Sequence, residues 1–298
     1  MNAIKTVNLT KYYGKSRGIM DVCLSVEEGD FFGFIGPNGA GKSTTIRTLL
    51  GLITATSGSA EIFGQDTVRY KTTVLSELGY LPAEAMFYGG MRVSDILRMS
   101  AEMRKKDCDD EAKRLCDRFE LDTSRKVEEL SLGNRKKVGI VCAMQHKPRL
   151  YILDEPTSGL DPLMQREFYS LLKERNAEGA TVFLSSHILS EVQRYCKHAA
   201  VIREGRILIC DSVEKLSHTG AKRVTIRGVS LPPTLDGIRD VKTAQDSVSF
   251  LYSGKPDELL KALSQLPLTD ITIAEPDLEE IFMHYYSKEN GGSDNDNL

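Results

Sequence analysis

The chain has 298 residues, of which 41% are hydrophobic and 27% are charged, and its formal net charge is −3. This composition is typical of a globular protein and excludes the disordered and fibrous classes. Proteins that bind a phosphate backbone are usually basic, so we predict no nucleic-acid partner. The sequence shows no signal peptide and no apolar run near the roughly 20 residues that span a bilayer. We therefore expect a cytoplasmic protein that meets a membrane only through a partner.

Up to about Ser217, short apolar runs alternate with helical patterns, which predicts an α/β domain. Buried strands are predicted at Phe31–Ile35, Leu150–Leu153, Thr181–Leu184 and Ala199–Ile202. Between the first two of these strands, a helical pattern extends from about Arg92 to His146. We predict that it forms a helical subdomain at about residues 84–147, inserted into the α/β core.

A different pattern follows Gly220. Val224 and Ile226 alternate with polar residues, which predicts a strand, and Pro256 begins a short helix. A closing helix is predicted around Leu278–Tyr285. The predicted domains are residues 1–218, a small β/α domain at 219–287 and a disordered tail at 288–298.

A phosphate-binding loop follows the first of the predicted buried strands. The pattern of Gly, four residues and Gly-Lys-Ser is met by the segment Gly36, Pro37, Asn38, Gly39, Ala40, Gly41, Lys42, Ser43 and Thr44. Glycines let backbone N–H groups turn inward towards an anion, and the following helix presents its positive end to phosphate. Lys42 would bring a charge to the β- and γ-phosphates of a nucleotide, and Ser43 a hydroxyl to Mg²⁺.

An acidic pair, Asp154 and Glu155, follows the predicted strand Leu150–Leu153. In P-loop proteins, a carboxylate at the carboxyl end of an apolar strand holds the Mg²⁺ shell. We assign Asp154 to the metal and Glu155 to polarising an attacking water. The alternative is a helix N-cap, with Pro156 ending the strand. Together with the phosphate-binding loop, the pair indicates a nucleotide-hydrolysing site.

At Leu130-Ser131-Leu132-Gly133-Asn134, the chain resembles the ATP-binding cassette (ABC) ATPases, whose signature is Leu-Ser-Gly-Gly-Gln. Three further family motifs are matched in the expected order. Tyr13 matches the aromatic residue that stacks on adenine, Ser158–Asp161 resembles the loop that joins two subunits, and His187 matches the switch histidine. The resemblance covers about residues 2–218.

This resemblance implies an α/β P-loop NTPase fold with a helical subdomain and a small carboxyl-terminal β/α appendage. It implies an ATP hydrolase that uses Mg²⁺, with Glu155 as the base or water-orienting group, His187 holding it in line, and Lys42 stabilising the phosphoryl charge. In the family, two cassettes pack head to tail, and each ATP lies between one P-loop and the other subunit's signature. Ser131, Gly133 and Asn134 would therefore contact the ATP of a second subunit.

Two alternatives remain at single positions. Either Tyr13 or its neighbour Tyr12 stacks on adenine, and the other packs in the core. Ser131 is also a good N-cap for the long helix predicted from Arg135 to about His146, a role compatible with phosphate binding because both use the same N–H groups.

Three positions depart from the family pattern. Ala83 replaces the usual Gln, and its methyl group cannot ligate Mg²⁺ or hold water; either Glu84 substitutes from one residue away or water completes the metal shell. Leu132 replaces a glycine of the signature, while Asn134 keeps an amide one methylene shorter than Gln. We expect an active but slow ATPase.

The resemblance favours the motor subunit of a bacterial exporter of drugs, peptides or lipids. The closing segment Asp277–Phe282 also resembles the motor subunits of such exporters. Its partners would be a second ABC ATPase subunit, identical or paralogous, and separate transmembrane permease subunits, which would hold the protein on the inner face of the cell membrane. A soluble regulatory ATPase acting on a cytosolic protein and a P-loop phosphotransferase are the alternatives.

Two surface features carry weaker expectations. The apolar side chains of the loop after Pro82 either receive the transporter or pack against the subdomain's own helix; they are Met86, Phe87, Tyr88 and Met91. The basic runs Arg104–Lys106 and Arg135–Lys137 are expected to be solvated helix faces.

Overall fold

The structure, a computed structural model, describes residues 1–217, 221–244 and 246–274. It divides into two compact units, Met1–Asp211 and a second unit that begins at Ser212. The predicted closing helix around Leu278–Tyr285 and the tail at 288–298 lie outside the described residues.

The elements of the first unit follow the predicted alternation of strands and helices. The strands are β1 (Asn2–Tyr13), β2 (Ser16–Glu27), β3 (Phe31–Ile35), β4 (Ser57–Ile62), β5 (Gln65–Asp66), β6 (Leu78–Leu81), β7 (Leu150–Asp154), β8 (Thr181–Ser186), β9 (His198–Arg203) and β10 (Arg206–Ser212). The helices are α1 (Lys42–Leu49), α2 (Lys71–Ser76), α3 (Val93–Met103), α4 (Asp109–Arg118), α5 (Leu132–Met144), α6 (Pro162–Ala177) and α7 (Leu189–Tyr195), with a 3₁₀ turn at Val127–Glu129.

The central sheet has the order β10-β9-β3-β8-β7-β6 within the described residues. Strand β3 pairs in parallel with β8 and β9, and β7 pairs in parallel with β8 and β6. Strands β3, β7 and β8 are buried along their whole lengths, as expected for parallel strands covered on both faces. The predicted α/β fold is confirmed. Its consequence is that the segments leaving β3, β8 and β7 emerge side by side at one sheet edge.

An antiparallel sheet of order β2-β1-β4-β5 packs into the same core, which includes Ile4, Phe34, Ile46 and Phe183. Strands β1 and β2 form a long hairpin whose pairing runs from Asn2↔Glu27 to Tyr13↔Ser16 with several register shifts. These shifts interrupt the alternation of inward and outward side chains. The amino-terminal hairpin therefore had no clear strand pattern in the sequence.

The predicted helical block is divided into shorter helices, α3, α4 and α5, with α3 and α4 both contacting α5. Helix α5 begins at Leu132, three residues before the predicted start at Arg135, and ends at Met144. Ser131 is its N-cap, because its hydroxyl oxygen accepts a hydrogen bond from the backbone N–H of Asn134 at 3.3 Å. The capping role considered for Ser131 is thus present.

The second unit contains α8 (Val213–Ser217), β11 (Lys222–Arg227), β12 (Ile238–Ala244), β13 (Ser247–Tyr252), α9 (Pro256–Leu263) and β14 (Asp270–Ala274). Its strands form an antiparallel sheet of order β12-β13-β11-β14. The alternating residues Val224, Ile226, Val248 and Phe250 face a small core closed by Leu259 of α9. Strand β12 escaped prediction because most of its residues are exposed and carry no apolar alternation.

Buried His146, just beyond α5, makes the stability of the first unit depend on pH. The residue is 5% exposed, its Nε2 lies 3.1 Å from the Leu78 carbonyl oxygen, and burial lowers its pKa from 6.5 to about 4. Between these pH values the unfolded chain binds the proton and the folded chain does not. The free energy of unfolding therefore decreases as pH falls from 6.5 towards 4.

We expect His146 alone to lower the free energy of unfolding by about 2 kcal/mol between about pH 7.5 and pH 5. Urea denaturation followed by circular dichroism at both pH values measures the change. In His146→Leu, which cannot take up this proton, the pH-dependent loss should be smaller by that amount. An identical loss in both proteins would contradict the prediction.

Candidate active site

The phosphate-binding loop joins the end of β3 to the start of α1, as predicted. A Cβ on Gly36 would collide with the carbonyl oxygen of Ile202 on β9, so only glycine fits there. Gly39 and Gly41 have φ values of 80° and 112°, in the region that side chains disfavour. The loop is therefore shaped by its glycines, and Gly41 delivers the chain directly into helix α1.

Lys42 is the first residue of α1, and its side chain is only 6% exposed. Its ammonium group donates hydrogen bonds to the carbonyl oxygens of Gly36 at 2.6 Å and Pro37 at 3.3 Å. It also lies 3.0 Å from the Glu155 carboxylate oxygen Oε1, which makes a largely buried ion pair. The two residues that the sequence assigns to phosphate and to water are thus in direct contact.

Glu155 lies just past the end of β7, with its other carboxylate oxygen, Oε2, 2.7 Å from Nδ1 of His187. His187 follows β8, the neighbour of β7, and half of its side chain is exposed. Lys42, Glu155 and His187, predicted from separate motifs, therefore form one connected group at the carboxyl edge of the sheet.

Asp154 is fully buried at the end of β7. Its Oδ1 accepts a 2.6 Å hydrogen bond from the Ser185 hydroxyl, whereas Oδ2 has no hydrogen-bond partner among the described residues. A buried carboxylate oxygen left unpaired costs free energy unless a cation or water meets it. Asp154 thus fits the predicted Mg²⁺, with Ser43 half-buried at the start of α1 as the second predicted ligand.

Tyr13 ends β1, and about half of its surface is exposed. A Cβ on Gly18 would lie 3.1 Å from the Tyr13 ring and 3.3 Å from the Thr44 methyl group, so the ring and α1 flank the same glycine. Tyr12 is exposed to a similar degree. Because neither ring is in the core, the alternative that one of the pair packs inside is wrong.

The signature residues Ser131, Gly133 and Asn134 lie in the first turn of α5, on its exposed or half-exposed side. A Cβ on Gly133 would approach the Gly159 carbonyl oxygen to 2.8 Å, which explains why a glycine is present at this position. Leu132 projects outward, with 69% of its surface exposed. The signature therefore packs against the Ser158–Asp161 loop and presents the leucine that replaces the usual glycine.

Comparisons with known proteins agree with this geometry. A sequence model of the family described as ABC transporter matches residues 19–158. The bacitracin transport ATP-binding protein BcrA of Bacillus licheniformis is 36% identical over 94% of this chain and 96% of its own. The uncharacterized ABC transporter ATP-binding protein YhaQ of Bacillus subtilis is 31% identical over 93% of this chain and 96% of its own.

A solved structure, that of the ATP binding subunit of an ABC transporter, has a TM-score of 0.68 and 31% sequence identity over 72% of this chain and 91% of its own. The chain belongs to the ABC transporter family. It is an ATP-binding and ATP-hydrolysing subunit, and this membership overturns the phosphotransferase alternative. Within residues 1–217, 221–244 and 246–274, this cassette has no helix long and apolar enough to cross a bilayer.

One expectation about the cassette's surface is wrong. In the run Arg135–Lys137 only Arg135 is exposed, because Lys136 and Lys137 are 4% and 9% exposed. The ammonium group of Lys136 instead donates to three backbone carbonyl oxygens around the site. The sequence held a signal, since the apolar run Val138–Val141 shows that this helix is buried. In the other run, Arg104 is half-buried and bonds His146, while Lys105 and Lys106 are exposed.

In the loop after β6, one apolar side chain packs against α5 and two are exposed. Met86 and Tyr88 are 91% and 76% exposed, whereas the Phe87 ring would lie 4.0 Å from a Cβ on Gly139 of α5. Successive side chains therefore alternate between solvent and the helix. Glu84 is exposed, and Ala83 is half-buried with its carbonyl oxygen bonded to Lys136.

Ser185 is a site residue that the sequence did not single out. Its hydroxyl donates to Asp154 at 2.6 Å and accepts from the Glu155 backbone N–H at 3.1 Å. It therefore orients both acidic residues. The signal was its position one residue from the end of β8, because β8 is the direct neighbour of β7.

Replacing Asp154 by Asn should raise the Mg²⁺ concentration for half-maximal ATPase activity at least about tenfold, since a neutral amide binds a hard cation less well than a carboxylate. Initial rates at fixed ATP across a Mg²⁺ titration measure this. Asp117→Asn, which removes an exposed carboxylate of α4, is the control and should keep the wild-type midpoint. Equal midpoints in all three proteins would contradict the assignment of Asp154 to the metal.

Proposed function

We propose that this protein is the ATP-hydrolysing motor of a membrane exporter, acting as one of two cassettes that bind two ATP molecules and drive separate transmembrane subunits. The observation that carries the proposal is the contact of Glu155 with both Lys42 and His187, at 3.0 and 2.7 Å. It gives one chain a complete set of groups for polarising water beside a phosphate-binding loop.

Each residue of the site has one role in this proposal. The amides of Gly39, Gly41 and their neighbours hold the phosphates, and Lys42 pairs with their negative charge. The Glu155 carboxylate orients a water for in-line attack on the γ-phosphorus and accepts its proton as the bond to ADP breaks. His187 holds Glu155 in place. Asp154 and Ser43 would hold Mg²⁺, which would supply charge stabilisation to the phosphates.

Because a phosphate must pair with Lys42, it competes with Glu155 for the same ammonium group. Binding of the nucleotide would therefore release the Glu155 carboxylate from Lys42 and leave it on His187. Because of this exchange of partners, Glu155 would be available to orient the water only after ATP is bound.

The separation of the binding groups along the chain supports the proposed dimer. Ser131 caps α5 and Gly133 lies in its first turn, where donors and the helix N-terminus are exposed. Lys42 at the start of α1 and Glu155 just past β7 form a separate group. The proposed complete site has both parts around one ATP, which two chains packed head to tail provide. The second cassette is either identical or paralogous.

The proposed surface for the transmembrane subunits is the loop after β6, where Met86 and Tyr88 are mostly exposed. Two large apolar side chains exposed on either side of Phe87 favour a protein contact. We place the protein at the cytoplasmic face of the cell membrane through this contact. The similarity to a protein named for bacitracin transport, over 94% of this chain, supports a drug, peptide or lipid as cargo.

Replacing Glu155 by Gln should reduce ATP hydrolysis at least about 100-fold, because the amide cannot accept a proton. ATP should still bind, so dimers should accumulate with ATP and Mg²⁺. Light scattering coupled to size-exclusion chromatography measures the amounts of monomer and dimer. Adding Ser131→Arg to Glu155→Gln places a bulky charge on the signature and should abolish these dimers. A monomeric and fully active Glu155→Gln protein would contradict the role of Glu155.

Tyr88→Asp should abolish recovery of transmembrane subunits when tagged protein is isolated from detergent-solubilised membranes, because a charge would be buried in the contact. The control is Val68→Asp, another exposed apolar residue (69% exposed), which should recover the same subunits as the wild type. Both variants should keep the ATPase rate of the isolated protein within about twofold. Recovery of cytosolic proteins alone would favour the soluble regulatory ATPase instead.

A further inference from the structure

Lys136 lies in the second turn of α5 with 4% of its surface exposed, and it bonds to no side chain among the described residues. Its ammonium group donates to the backbone carbonyl oxygens of Pro82 at 3.2 Å, Ala83 at 2.9 Å and Glu155 at 3.0 Å. An ammonium group has three N–H donors, and each has an acceptor here. The side chain is therefore fixed by main-chain groups alone.

These three carbonyls belong to segments that leave two neighbouring strands. Pro82 and Ala83 follow β6, and Glu155 follows β7, which pairs with β6 in parallel. Lys136 itself belongs to α5, the helix capped by the signature residue Ser131. One side chain thus ties together the signature helix, the loop with the proposed partner surface and the main chain of the proposed base.

The main chain of Glu155 requires such support. Its φ of 47° lies in the left-handed region, which costs a non-glycine residue free energy. Ser185 holds the Glu155 N–H, through both its hydroxyl and its carbonyl oxygen, at 3.1 and 3.2 Å. Lys136 holds the carbonyl oxygen on the other side of the residue at 3.0 Å. The direction of the carboxylate depends on both attachments.

Burial and the nearby carboxylates act in opposite directions on the charge of Lys136. Burial lowers its pKa from 10.5 to about 8, and the nearby carboxylates of Asp154 and Glu155 oppose that shift. The ammonium form therefore dominates at neutral pH and keeps all three donors. Its neighbour Lys137 is also nearly buried. Unlike Lys136, it makes no side-chain hydrogen bond to the described part of the chain.

We propose that Lys136 is a positioning residue for ATP hydrolysis, which holds the Glu155 main chain and the Pro82–Ala83 segment in the arrangement that aims the Glu155 carboxylate. This inference rests on the proposed catalytic role of Glu155. In this proposal Lys136 of α5 positions the loop after β6 for hydrolysis. That loop carries Ala83, which has no amide side chain to do so.

The first test is Lys136→Met, which keeps an unbranched side chain and removes all three donors. We expect kcat for ATP to fall about 10- to 100-fold, since small misplacements of catalytic groups have effects of this size. KM for ATP should stay within about threefold, because no bond of Lys136 goes to the phosphate-binding loop. Lys137→Met, the matched control on the same helix, should keep kcat within about twofold. Lys136→Gln, which retains two N–H donors, should be intermediate and replaces the Met variant if that protein does not fold.

The second test separates alignment from general loss of structure. If Lys136 acts through Glu155, adding Lys136→Met to Glu155→Gln should change the residual single-turnover rate less than threefold. Three results would each overturn the inference. They are a rate reduction in the double variant equal to the product of the two single reductions, an unchanged kcat in Lys136→Met, and an equal loss of kcat in Lys137→Met. A fully active Glu155→Gln protein would instead overturn the role of Glu155, and the single variants distinguish the two failures.

Discussion

The geometry of the site depends on one carboxylate, that of Glu155, which contacts Lys42 on one oxygen and His187 on the other. Glu155 and His187 directly follow β7 and β8, and Lys42 begins α1 after the loop that leaves β3. The three residues meet because these strands are parallel in the order β3-β8-β7. Parallel strands deliver their carboxyl ends to one edge. The sheet order is therefore the constraint that converts three distant sequence motifs into one group of charges.

Holding this group requires main-chain support, since Glu155 adopts a left-handed conformation that costs about 1–2 kcal/mol for a residue with a Cβ. Bonds to its N–H from Ser185 and to its carbonyl oxygen from Lys136 offset that cost. Ser185 also fixes Asp154, at 2.6 Å. The carboxylates proposed for the metal and for the water are thus oriented by one hydroxyl, so a shift of either strand end would move both.

Much of this could be predicted from the sequence, because the parallel strands are continuous apolar runs and the loops after them carry distinctive residues such as Lys42 and His187. Prediction failed where a pattern was missing or misleading. The β1–β2 hairpin has register shifts that interrupt its alternation. Lys136 stands among basic residues, which normally mark a solvated face, yet it is buried. Only the tertiary structure shows that three carbonyls compensate its charge.

The replacement of the usual Gln by Ala83 changes which atoms connect the β6 loop to the site. A glutamine acts through its side chain, whereas Ala83 contributes its carbonyl oxygen, bonded to Lys136 at 2.9 Å. That hydrogen bond needs no particular side chain at position 83, but it needs a long side chain with an N–H donor on α5. The loop with exposed Met86 and Tyr88 therefore remains mechanically joined to the Glu155 main chain. A partner that displaces this loop would act on Glu155, the proposed base, through Lys136 and without any contact to the nucleotide.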